Sequence, residues 1–125
     1  MPIRQTIYHP DRLVTGIASG EIALVEFVAF AKSIADAGLT HYRKILDVID
    51  ARPAFTEQEM KALAQVIRQY PVPGKRGALA FVVGADNGAF AKLFANIEIA
   101  GRPAQTFRSI HDARQWLADN PTEED

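Results

Sequence analysis

The chain has no cysteine. Disulfides, thiol nucleophiles and cysteine-ligated zinc are excluded, and a reducing, cytoplasmic setting is expected. Charge of one sign is also missing. Lys and Arg number 14 and Asp and Glu 15, a net charge of −1. That is too little to hold nucleic acid by bulk electrostatics. Long hydrophobic runs are absent. The longest, residues 22–31, is interrupted by Glu26 and is about half of what a membrane span needs. It reads as a buried helix. The first ten residues, MPIRQTIYHP, hold no apolar stretch of signal-peptide length. No P-loop or dinucleotide fingerprint occurs. The three histidines, His9, His41 and His111, fall on a hairpin, a loop and a helix. None pairs at the helical spacing of metal ligands, so neither metal nor cofactor is expected.

What is present suits one globular domain. Its 125 residues are 48% apolar and 23% charged, enough to bury a real core. The domain is expected over residues 1–120, with a loose acidic tail at 121–125. Residues 5–9 and 13–19 are rich in β-branched side chains and flank Pro10-Asp11-Arg12, which predicts a hairpin. Ser19-Gly20-Glu21 punctuates the chain, and residues 22–38 read as a helix stopped by Gly38. Its apolar positions are wide. Leu24, Phe27, Val28, Ala31, Ile34 and Ala35 share one side with Val25 and Phe30 beside them, which predicts burial on two sides.

Residues 44–50, KILDVID, predict a third strand. Ile45, Asp47 and Ile49 fall on one face, and Leu46, Val48 and Asp50 on the other. Arg52-Pro53 ends it. Thr56 to Glu59 reads TEQE, a capping box for a helix carrying Met60, Leu63, Ala64 and Ile67. Residues 78–84, ALAFVVG, are apolar without alternation, as in a central strand covered on both faces. Asp86-Asn87 offers a cap to a further helix bearing Phe90, Leu93, Phe94 and Ile97, stopped at Gly101-Arg102-Pro103. A short strand at Ala104–Phe107 follows. Ser109 then caps a last helix whose Ile110, Ala113, Trp116 and Leu117 point inward. The order is ββαβαβαβα. Strands separated by single helices imply parallel crossovers. The fold expected is α/β, a mixed four- to five-stranded sheet with an N-terminal hairpin and four helices.

Four segments taken together resemble the STAS-like group called SpoIIAA-like, relatives of the anti-sigma-factor antagonists. They are the strand and Gly-Glu-Ile of residues 13–22, the aspartate-bearing residues 45–50, the Gly-Ala-Asp entry of residues 78–86, and the ending Phe107-Arg108-Ser109 with Ala113-Arg114-Gln115-Trp116-Leu117. The resemblance implies a non-catalytic fold used for regulated protein contact or for cradling a small ligand. It has distant kinship to CRAL-TRIO-type lipid-binding domains. One segment departs from the pattern. The regulated antagonists carry Asp-Ser-Ser-Gly or Asp-Ser-Thr-Gly after the third strand. Here that region reads DARPAFTEQE, with Thr56 its only hydroxyl residue.

In open α/β sheets ligands gather beyond the carboxyl ends of the strands. That edge is expected to hold Asp50, Thr56, Asp86, Asn87 and Ser109, which form the candidate contact site, with Thr56 the candidate switch. The glycines around Asp86 could form an anion nest, although Asp86 would repel an anion and a plain helix cap explains Asp86-Asn87 with less. Asp47, an acid inside an apolar strand, invites an active-site reading. The plainer account is a carboxylate satisfied by nearby amides. Ser109, His111 and Asp112 invite a triad reading, but neighbours on one helical turn point apart. Arg43, Lys44, Lys75, Arg76 and Arg102 gather at the opposite edge, as a solvated rim or as a dock for an acidic partner.

The leading expectation is a non-enzymatic module with a regulatory protein partner, forming a homodimer through Phe30, Phe90 or Phe94. The alternative is a carrier or sensor of a small apolar, lipid-like ligand. A hydrolase using Asp47 or His41 is the weakest reading, since no nucleophile, base and orienting group fall together.

Overall fold

A computed structural model describes residues 3–69, 77–84 and 104–119. Five strands form one sheet in the order β1-β2-β3-β4-β5. They are β1 (Ile3–Tyr8), β2 (Leu13–Ile22), β3 (Arg43–Pro53), β4 (Leu79–Val82) and β5 (Ala104–Phe107). β1 and β2 are antiparallel, and every other neighbouring pair is parallel. The described helices are α1 (Leu24–Asp36), α2 (Glu57–Gln69) and α3 (Ile110–Ala118). The helix expected around Phe90 and Phe94 lies outside the described residues, as does the acidic tail.

The sheet is covered on both faces. Ile3, Ala18, Leu46, Val48, Leu79, Phe81 and Val83 on the first face pack with Phe27 of α1 and Met60 and Leu63 of α2. Ile45, Ala80 and Val82 on the second face pack with Ala113 and Leu117 of α3. β4 is buried along its whole length, which is why its sequence lacks alternation. α3 is only nine residues long. Over β1 and β2 the second face is left more open: Tyr8 and Ile17 are 44% and 46% exposed.

A local signal ends α1 as the sequence predicts. Gly38 takes φ +72°, a conformation glycine adopts at little cost. Gly38 N–H donates to the Ala35 carbonyl and Leu39 N–H to that of Ile34. This is the Schellman pattern, and Ile34 and Leu39 pack together beneath it.

The strands run further than the sequence predicts. β2 continues through Ser19-Gly20-Glu21 to Ile22, and β3 through Arg52 to Pro53. Each supplies the other's hydrogen bonds there, so weak strand formers are held by pairing. β4 pairs only with residues 44–47 of β3. The ends of β2 and β3 therefore project beyond β4 as a two-stranded ribbon.

The faces of β3 also differ from a simple alternation. The register with β2 shifts between Ile17 opposite Asp47 and Ser19 opposite Asp50, a bulge that inserts one extra residue. Beyond it Ala51, not Asp50, enters the core with Val48. Asp50 is exposed opposite Ser19. α1 is narrower than its composition suggests. Phe27 and Ile34 are buried, while Val25 and Val28 stay 67% and 40% exposed.

Candidate functional site

The carboxyl ends of β2, β3 and β5 bring Asp50, Thr56 and Ser109 to one edge of the sheet. Asp50 stands on the outer face of the projecting ribbon, beside Ser19, with Glu21 opposite Arg52 one step on. All four side chains are exposed. The inner face carries the buried Ile22 and Ala51, which anchor the ribbon under α1 and α2. The ribbon is thus a core-facing strip with a polar outer surface.

Thr56 begins α2 from the other layer. Its Oγ1 accepts from Glu59 N–H at 3.1 Å, and Glu59 Oε1 accepts from Thr56 N–H at 2.9 Å. This is the reciprocal capping box expected from TEQE. Both residues are exposed. Ser109 caps α3, its Oγ accepting from Asp112 N–H at 3.2 Å. Thr56 belongs to the layer of α1 and α2, and Ser109 to the layer of α3. They share an edge but lie on opposite sides of the sheet, and Asp50 shares the second face with α3. Asp86 and Asn87 lie outside the described residues.

Asp47 is half-buried, and its Oδ1 accepts from Ile49 N–H at 3.0 Å. That amide belongs to the bulge, where ladder pairing is interrupted. The carboxylate thus braces the bulge. The sequence alone misses this role because the bulge depends on β2 across the ladder.

The opposite edge is built differently from a basic rim. Lys44 is 4% exposed, and its Nζ donates to the carbonyls of Thr40 at 2.8 Å and Tyr42 at 2.7 Å. Arg43 donates from Nη1 to the Leu117 carbonyl at 3.0 Å and from Nη2 to that of Asp11 at 2.7 Å. It ties the β1–β2 turn to the last turn of α3. These two cations hold backbone and do not stand free for an acidic partner. Lys75, Arg76 and Arg102 lie outside the described residues. His9 Nδ1 lies 2.9 Å from the Tyr42 hydroxyl, and the His41 ring packs edge-on against Tyr42. The tyrosine is buried between an exposed histidine and a half-buried one.

The Phe30 ring lies over Gly16, where a Cβ would meet its Cε1 at 2.8 Å. It packs against both the main core and the Val14–Ile34 cluster. The open apolar surface of α1 is therefore Val25 and Val28. Phe90 and Phe94 lie outside the described residues. Among the described residues, no helix is long and apolar enough to cross a membrane.

No family model and no curated protein matches the chain. Among solved structures, it is similar to an uncharacterised DUF3478-family protein with a SpoIIAA-like fold from Shewanella loihica PV-4. The TM-score is 0.59 at 13% identity, over 92% of this chain and 91% of the other. The fold is SpoIIAA-like.

At that identity the likeness concerns the path of the backbone and carries no activity with it. Of the four segments singled out in the sequence, three lie wholly within the described residues of this SpoIIAA-like fold. Residues 13–22 are β2 itself, residues 45–50 contain the β3 bulge, and residues 107–117 join β5 to α3. Phe107 and Trp116 close that junction, their ring centres 5.6 Å apart.

Proposed function

We propose that this SpoIIAA-like chain is a non-enzymatic STAS-like module of the cytoplasm that acts by regulated protein contact. Its contact surface is the carboxyl edge of the sheet, formed by Asp50, Thr56 and Ser109 together with Asp86 and Asn87. The observation that carries the reading is the exposed reciprocal cap between Thr56 and Glu59, which couples one accessible hydroxyl to the start of a helix. Two further groups on or near this edge are engaged with local backbone: Ser109 with Asp112 and Asp47 with Ile49. Such groups shape a surface rather than assemble nucleophile, base and orienting group.

A phosphate on Thr56 would add about two negative charges at pH 7. The helix N-terminus favours an anion there, but Glu57 and Glu59 stand in the same turn. The phosphate would compete with Glu59 for the capping amides, and the first turn of α2 would rearrange. Thr56→Ala and Thr56→Glu are therefore expected to change affinity for a purified partner in opposite senses, measured by calorimetric titration. Equal affinities for the two variants would remove the switch.

Carriage of a small apolar ligand is the alternative. Beneath α1 the space is taken by Phe30 on Gly16 and by Phe27 against Phe55, which favours the contact reading. Native mass spectrometry separates the two: a co-purifying ligand supports carriage, and a bare 13.7 kDa species or its multiple supports contact.

A further inference from the structure

Among the described residues β1 is an edge of the sheet, paired through six consecutive residues with β2 and with no register shift. Soluble proteins ordinarily blunt such an edge with a bulge, a proline, a lysine or a very short strand. β1 has six residues, reads IRQTIY, and carries no bulge, proline or lysine; Arg4 is its one charged residue. β5, at the other edge, has four residues. Arg4 and Thr6 of β1 are exposed, and Tyr8 is 44% exposed. A long, regular, open edge is a template for another strand.

We propose that β1 pairs antiparallel with β1 of a second copy of this chain, about a two-fold axis at Thr6, so that two five-stranded sheets become one. An axis relating antiparallel strands within one sheet stands perpendicular to it. Faces are preserved, and each residue meets one on its own face. The two central choices are Gln5 and Thr6. An axis at Gln5 sets Arg4 opposite Thr6 of the partner subunit, with no aromatic ring for the guanidinium. An axis at Thr6 sets Arg4 opposite the partner's Tyr8, and by symmetry Tyr8 opposite the partner's Arg4. A guanidinium meets an aromatic ring twice, and like charges do not meet. Gln5 faces the partner's Ile7 on the first face. There α1 contacts β1, so the two α1 helices, with their exposed Val25 and Val28, come to the same side of the joined sheet. The carboxyl-edge surface takes no part, so this dimer stands or falls independently of the Thr56 result.

Sedimentation equilibrium of the full chain at micromolar concentration is expected to give twice 13.7 kDa. Arg4→Glu is expected to raise the dimer dissociation constant about tenfold. The exchange Arg4→Tyr with Tyr8→Arg recreates the same two contacts and restores dimerisation. The absence of cysteine allows a register test. Directly opposed residues in antiparallel strands lie about 4.5–5.5 Å apart at Cα, within disulfide reach. Thr6→Cys is therefore expected to yield a disulfide-linked dimer on mild oxidation, and Gln5→Cys is not. A monomeric mass for the native chain overturns the proposal, as does linkage through Gln5→Cys or Val25→Cys in place of Thr6→Cys, or an unchanged dissociation constant in Arg4→Glu.

Discussion

Single residues set the tightest limits on this chain. Gly77 is buried against the backbone of residues 41–42, and a Cβ there would fall inside the contact distance of the Tyr42 carbonyl. Its N–H donates to the Thr40 carbonyl at 2.9 Å, so it cannot simply move away. Gly77→Ala is expected to cost about 3 kcal/mol of folding free energy, near the upper end of overpacking effects. Urea denaturation measures it, and a loss below that of an ordinary surface substitution contradicts the close approach. Thr56, Ser109 and Gly38 were legible in sequence because a cap is satisfied within about four residues of chain. Lys44 was not, since a lysine beside an arginine reads as surface. Its burial follows from neighbours that turn two carbonyls onto the ammonium.

At the level of elements, side-chain caps start α2 and α3, and pairing decides how far strands run. Ser109 starts α3 between the short β5 and the apolar stripe of Ala113 and Leu117. Ser109→Ala removes its bond to Asp112 N–H, at an expected cost of about 1 kcal/mol. Ser109→Asp keeps an acceptor and is expected to stay close to native, with thermal melts comparing the two. The same melts should show no difference between the variants if the cap contributes nothing. The element least legible in sequence was β3. Counting alternate residues along it places Asp50 with Leu46 and Val48. The bulge opposite Ala18 reverses that parity and leaves Asp50 on the solvent side. Asp50 therefore lies on the opposite face of the sheet from the one that parity assigns it.

For the whole molecule, Arg43 links parts of the chain that are remote in sequence. It reaches Asp11 in the β1–β2 turn and Leu117 at the end of α3 from the first residue of β3. Arg43→Leu is expected to cost about 2 kcal/mol, since two carbonyls lose charged donors. Amide exchange should then quicken in residues 9–12 and in the last turn of α3 together. Exchange changing in only one of those places would show that the arginine does not couple them.

By itself the sequence determined the order of the described strands and helices, the caps at Gly38, Thr56 and Ser109, and the α/β layering on a mixed sheet. These rest on contacts within a few residues and on hydrophobic spacing, which a linear chain already contains. Tertiary structure alone decided the bulge in β3, the ribbon of β2 and β3 standing past β4, and the enclosure of Lys44. It also decided which face of β1 and β2 stays open. Each depends on partners distant in the chain, because strand pairing and burial are set by what lies across the ladder and not by what lies next in sequence.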